Sequence, residues 1–174
     1  MLKIIAAVVV LAVAGVLVAA ALKPDTFRVQ RSIRVTAQPD KVFPLIADLH
    51  RFTTWSPYEK KDPGMTRQFS GPEAGPGAHY AWKGNQDIGE GSMEILSTSP
   101  NAIGLRLDFV KPFEAHNLVD FTLTPVADGT EVTWALHGPH PFVARIMSLF
   151  FDMDRMVGTD FEVGLANLKA AVGG

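Results

Sequence analysis

The sequence predicts an α+β fold: an antiparallel sheet of about seven strands wrapped on a long C-terminal helix, preceded by one N-terminal transmembrane helix. Three observations predict it. An apolar run broken only by Gly15 occupies Ile4–Leu22, alternating strand-length segments lie at Phe27–Val35 and then one after another from Met65 to about residue 137, and apolar side chains recur at steps of three and four over about 142–172. Consecutive strands joined by tight turns imply an antiparallel meander, and a helix with one apolar stripe must cover a face of it.

The first element is the apolar run. Ile4–Leu22 carries no charged or polar side chain and as a helix would extend about 28 Å, close to the hydrocarbon thickness of a bilayer. A membrane anchor over residues 1–23 is the expectation. The alternative is a cleaved export signal, with Met1-Leu2-Lys3 as basic start, Ala19-Ala20-Ala21 as cleavage site and an exported soluble product. A buried core helix is excluded because the run has no polar face. Lys3 flanks one side and Lys23, Arg28, Arg31 and Arg34 the other; the positive-inside rule favours a cytoplasmic domain, but arginines inside a strand are weak topological signals, so the side stays open.

Residues 24–174 suffice for one domain, which at this size buries about 70% of its unfolded surface. The formal charge is −2, from 16 basic and 18 acidic side chains, and there is no cysteine. No basic stripe is available for nucleic acid. Disulfide scaffolds, thiolate zinc sites and cysteine nucleophiles are excluded.

Phe27–Val35 alternates, with Phe27, Val29, Ile33 and Val35 on one face. Pro39-Asp40 then punctuates, and Val42, Leu45, Ile46 and Leu49 take helical spacing; a second short helix runs through Phe52 and stops by Pro57. Turn residues at Gly71–Gly77, Asn85–Asp87, Ser99-Pro100-Asn101, Lys111-Pro112 and Asp128-Gly129 delimit strands near 66–70, 78–84, 88–97, 102–110, 115–125 and 130–137. Pro139 and Pro141 end the sheet. The rest reads as one helix over about 142–172, striped by Val143, Ile146, Phe150, Met153, Val157, Phe161, Leu165, Leu168 and Val172. Gly158 and Gly164 interrupt it, which permits close packing on a sheet.

Specific stretches carry a resemblance: Trp55-Ser56-Pro57 after the short helices, Gly75-x-Gly77-x-x-Tyr80-x-Trp82-x-Gly84-Asn85, Gly89-x-Gly91-x-Met93, and Asp152-x-Asp154-x-x-Val157-Gly158-x-Asp160-Phe161-Glu162-x-Gly164-Leu165. Together with the element order they make residues 25–173 resemble the SRPBCC superfamily, in its polyketide cyclase/dehydrase-like branch. The resemblance implies a START-like helix-grip fold, with a curved sheet and a pocket between sheet and C-terminal helix. It leaves function open, because that superfamily mixes ligand binders, lipid carriers, cyclases and hydrolases.

Strand parity tests for chemistry. The inward phase holds Tyr80, Trp82, Met93, Ile95, Ile103, Leu105, Leu107, Phe109, Val119, Phe121, Leu123, Val132, Trp134 and Leu136, with no carboxylate, His, Lys or Arg across these five strands. General acid–base catalysis needs a titratable group within reach of substrate, so no catalytic set is identifiable. Asn117 is an inward-phase polar residue. Arg31 interrupts an apolar phase, so either the strand bulges there or a cation faces the cavity as a polar anchor. Candidate cavity-lining residues are therefore Tyr80, Trp82, Met93, Leu107, Phe109, Asn117, Phe121 and Trp134, joined from the helix by Met153, Val157 and Phe161.

Five histidines include His137-Gly138-Pro139-His140, but Pro139 prevents a regular helical ligand face; without Cys or His-Glu-x-x-His no metal site is expected. Gly75-Pro76-Gly77 and Gly89-Glu90-Gly91 lack the third glycine of a dinucleotide fingerprint, no Gly-x-Ser-x-Gly elbow exists, and no cofactor is expected. Glu90 and Glu94 suit a solvated sheet face. The expected partners are a hydrophobic small molecule or lipid and, through the N-terminal helix, a membrane. The rival expectation is a polyketide cyclase or dehydratase; a filled core acting only through its surface is a third.

Overall fold

Alternation along the first strand sets the sheet's two faces: Val29 and Val35 are buried while Arg28, Gln30 and Arg34 stay exposed. The computed structural model describes Met1–Gly173. The elements are helix α1 (Leu2–Ala21), strand β1 (Thr26–Val35), helices α2 (Pro39–Ala47) and α3 (Leu49–Trp55), a 3-10 turn at Pro57–Lys60, and strands β2 (Thr66–Ser70) and β3 (His79–Lys83). Strands β4 (Glu90–Ser99), β5 (Ala102–Lys111), β6 (Ala115–Val126) and β7 (Gly129–Pro139) follow, then helices α4 (Phe142–Met147) and α5 (Met153–Ala171).

The strands form one antiparallel sheet in the order β1-β7-β6-β5-β4-β3-β2. It is a meander to whose last strand β1 is added, Thr26 opposite Pro139 and Val35 opposite Thr130. The chain arriving from α1 and the chain leaving for α4 thus emerge side by side. This is the helix-grip architecture expected, and each strand falls within two residues of its sequence reading.

The short helices are set by local chemistry. Pro39 takes the first turn of α2, where its missing N–H is not needed. Asp48 ends α2 and caps α3, accepting from the backbone N–H groups of His50 and Arg51. The Trp55 indole N–H donates 2.7 Å to the Leu45 carbonyl, tying α3 back onto α2.

One expectation needs correction: the C-terminal helix is two helices. The Ser148 hydroxyl donates to the Arg145 carbonyl, an alternative to continuing α4, and the Asp152 carboxylate accepts from the Arg155 N–H to start α5. Val143, Phe150 and Met153 of the expected stripe consequently stand exposed. Phe161, Leu165 and Leu168 are buried, and Val157 packs at their edge.

Two glycines let α5 approach the sheet. A Cβ at Gly164 would lie 2.7 Å from the Trp134 ring and 2.9 Å from the Pro57 ring; one at Gly158 would lie 2.0 Å from the Arg31 guanidinium. Gly164→Ala meets rigid rings. Overpacking of that kind costs about 1–3 kcal/mol against about 1 kcal/mol gained in helix propensity, so urea denaturation should show a net loss of about 1 kcal/mol. Gly158→Ala should perturb stability less, because a flexible side chain can swing away. Stabilisation by both substitutions would refute the close seating of α5.

Candidate functional site

The inner sheet face changes character along its strands. Ile103, Leu105, Phe121 and Leu123 are fully buried, and Trp134 stacks on Phe161 of α5 with ring centroids 4.1 Å apart. Phe52 and Trp55 meet Phe121 and Trp134 edge to face. At this level, side chains fill the space between sheet and helix, so Phe121, Trp134 and Phe161 are packed core.

Toward the β5–β6 turn the cover thins. Leu107 and Phe109 on β5 and Trp82 on β3 are only half-buried, and Trp82 meets Phe109 edge to face at 5.8 Å. Register joins them, since Trp82 pairs with Gly91, which pairs with Phe109. Leu107 faces Asn117 on β6. Asn117 is nearly buried against Gly138, and its side chain makes no hydrogen bond among the described residues. Met93 and Tyr80 are buried beside this group and Val157 is half-buried, whereas Met153 is exposed at the start of α5, outside the interior. Deeper in, the Trp134 indole N–H is buried without an acceptor. The arrangement is an apolar surface with two unspent polar groups, which suits an apolar molecule carrying few hydrogen-bonding atoms.

Arg31 is not at a bulge, because β1 and β7 stay in register through Gln30, Arg31 and Ser32. Its guanidinium crosses Gly158 to α5, donating 2.8 Å to Glu162 and 2.9 Å to Asp154. Arg31 holds the Asp154 carboxyl below the usual carboxylate range. With its donors taken by α5, Arg31 secures the helix, and the expectation of a ligand-anchoring cation is corrected.

Sequence parity missed a polar cluster on the outer strands. Glu59, delivered by the 3-10 turn, accepts 2.8 Å from the Tyr80 hydroxyl and 2.6 Å from Arg67 Nε. Arg67 shares the inward phase of β2, opposite Trp82. The alternation Arg67-Gln68-Phe69 is the signal that could have found it. No grouping of three or more His, Asp or Glu suited to a metal occurs among the described residues. His116 and His137 bind Asp108 and Asp120 on the outer phase of the sheet. Two clefts, of about 280 and 630 Å³, lie elsewhere, by the β2–β3 and β4–β5 turns.

Residues 26–173 match the family described as polyketide cyclase / dehydrase and lipid transport. The chain belongs to this family. None of the curated proteins compared matches it significantly. Among solved structures, protein CV1439 from Chromobacterium violaceum superposes with a TM-score of 0.59 at 16% identity, over 87% of this chain and 99% of that one. Ara h 8.0201 gives 0.55 at 10% identity, over 84% and 97%. DynU16, from the dynemicin biosynthetic locus, gives 0.53 at 21%, over 85% of this chain and 47% of its own. At these identities the likeness is one of fold. As a member of the polyketide cyclase/dehydrase and lipid transport family, this SRPBCC-type chain fits a hydrophobic-ligand-binding or polyketide cyclase-type domain.

The chain has two tyrosines, and both ionise well above the ordinary tyrosine value: Tyr58 through burial and then Asp160, Tyr80 through burial and then its bond to Glu59. The fold therefore favours the neutral phenols. Their contribution is complete below the unfolded value of about 10 and is lost as pH rises toward the folded values. Absorbance at 295 nm should stay flat until alkaline unfolding, then rise with it. A tyrosine ionising near pH 10 in the folded protein would show that the cluster is open to water.

Proposed function

We propose that this chain is a membrane-tethered binding domain for a hydrophobic small molecule or lipid, held at the half-buried end of the inner sheet face. The observation that carries this reading is the set Trp82, Leu107 and Phe109, left partly uncovered beside the unpaired Asn117 amide. Each 100 Å² of apolar ligand buried there contributes about 2.5 kcal/mol. Asn117 then fixes the orientation of a polar end. The tether is residues 1–23, ahead of a binding domain over 24–174; α1 is long and apolar enough to cross a membrane and is 6% buried.

Glu59 and Tyr80 favour a second reading, a polyketide cyclase or dehydratase. They place a carboxylate and a phenol together on the inner side, two groups of the kind that transfer protons to or from a carbonyl substrate. Arg67 occupies one carboxylate oxygen and the Tyr80 hydroxyl the other, so the pair works only after a substrate displaces one of them.

Binding is tested with a polarity-sensitive naphthalene dye on the full chain. Phe109→Asp should weaken dye affinity at least tenfold, about 1.4 kcal/mol, while Leu118→Asp on the outer phase should leave it unchanged. Affinity should also be flat between about pH 5 and 9, because Trp82, Leu107, Phe109 and Asn117 carry no group that titrates in that range. Unchanged binding in Phe109→Asp would place the site elsewhere. Turnover of a polyketide-like substrate that disappears in Glu59→Gln while dye binding persists would establish the enzyme instead. Recovery of a mature chain beginning at Leu22 would replace the anchor with an export signal.

A further inference from the structure

Helix α1 is touched along a single stripe. Val16 is half-buried, Ala20 fully buried and Lys23 half-buried, at the four- and three-residue steps of one helix face. The element packed there is α4. Lys23 Nζ donates to the Ser148 carbonyl at 2.9 Å and its hydroxyl at 3.0 Å, and Arg145 donates back to the Lys23 carbonyl. Val16 and Ala20 lie inside the apolar run. A helix that covers them runs beside the last two turns of that run, over about 10 Å of its length.

From α4 to the first turn of α5 the chain exposes Val143 at 71%, Phe150 at 66%, Phe151 at 57% and Met156 at 63%. At the same end of the sheet the β5–β6 turn exposes Phe113 at 82%. Register fixes that end, because Phe109 pairs with Ala115 while Thr26 pairs with Pro139. The opposite end differs. The turns at residues 71–78, 100–101 and 127–128 expose no large apolar side chain among the described residues. Outside α1, the most exposed large apolar side chains therefore gather at the end from which α1 projects; Leu96 on β4 and Val163 on α5, at 44% and 47%, are the less exposed exceptions. Those from α4 to α5 lie on short segments continuous with the contact of α4 on α1, so the medium around the last turns of the apolar helix is the one these side chains meet. Lys23 and Arg145, the latter over the Phe142 ring, supply the cations that suit the boundary layer.

We propose that the α4–α5 segment, residues 142–156, is a bilayer-docking surface seated in the interfacial layer of the membrane that α1 crosses. This rests on the tethered reading above. Docking there turns the open end of the inner sheet face, with Trp82, Leu107 and Phe109, toward the lipid, so an apolar ligand passes between bilayer and site without crossing water.

The cysteine-free sequence permits a direct test. The full chain carrying one of Phe150→Cys, Val143→Cys, Leu11→Cys or Ala127→Cys is labelled with a nitrobenzoxadiazole dye and reconstituted into phosphatidylcholine vesicles containing nitroxide-bearing lipid. Labels at 150, 143 and 11 should lose about half or more of their fluorescence, while the label at 127, in the β6–β7 turn, should lose little. Quenching at 11 without quenching at 150 and 143 would overturn the docking surface and leave the tether standing. No quenching at 11 would overturn the tether, and the docking with it. A label at 150 shielded from both lipid and aqueous quenchers, with self-quenching that grows with protein density, would assign this face to a second copy of the chain.

Discussion

The contact on which the rest of the structure depends is the stacking of Trp134 on Phe161, with ring planes within 10° of parallel. It requires α5 to lie closer to the sheet than a helix carrying a Cβ at residue 164 could come. Gly164 clears the Trp134 ring and Gly158 clears the Arg31 guanidinium, so the two interruptions of helical propensity coincide with the two places where α5 meets β7 and β1. Asp154, Gly158 and Glu162 recur every four residues and form a slot along one helix face, with Arg31 lying across it. These ion pairs are solvent-exposed and contribute little energy. Their role is positional: they fix the helix over one side of the sheet.

That placement determines what is left uncovered. α5 lies over β1 and β7, while α3 and the 3-10 turn reach across toward Phe121 and Tyr80. No element covers the far ends of β3 and β5 equally well, which leaves Trp82, Leu107 and Phe109 half-buried. Polar groups follow the same division. The outer phase spends its charges on itself, as Glu94 with Arg106 and Asp120 with His137. On the inner side the Trp134 indole N–H is buried without an acceptor, and the nearly buried Asn117 amide makes no hydrogen bond among the described residues. An unpaired buried donor costs about 1–3 kcal/mol, and an aromatic pair returns about 0.5–1.5 kcal/mol beyond its area. The four ring contacts around Trp134, with Phe52, Trp55, Phe121 and Phe161, are sufficient to offset that loss.

The strands were legible because period-two alternation and turn residues agree at every boundary, as between Ser99 and Asn101. The break in the C-terminal helix was not, because the apolar steps run on through Phe150 and Met153. Side-chain capping by Ser148 and Asp152 overrides a periodicity that has nothing to pack against. Arg31 stands out in the sequence as a cation in an apolar phase, but its role is not legible there, since its partners stand more than 120 residues away on α5. Glu59 was invisible to parity because a 3-10 turn has no two-residue phase. Trp82, Leu107, Phe109 and Asn117 share the inward phase because antiparallel pairing carries it from Trp82 through Gly91 to Phe109 and from Leu107 to Asn117, even though β4 and β5 shift register between Glu90 and Gly91 and again between Ile95 and Ser97. Phe121 shared that phase, and only depth along the strand separates packed core from open surface.

Topology makes one further arrangement unavoidable. Because β1 pairs with β7, the segments before Thr26 and after Pro139 leave the sheet as neighbours. The His140 N–H donates to the Asp25 carbonyl across them, and the His140 ring packs edge to face on Phe27. α1 and α4 are therefore held together by the same strand pairing that closes the sheet, without needing a large interface of their own. A single buried alanine, a lysine and an arginine suffice to set the end of α1 against α4. Val143 on α4 and Phe150 just after it stand exposed at the same end of the sheet where Trp82, Leu107 and Phe109 are left half-buried.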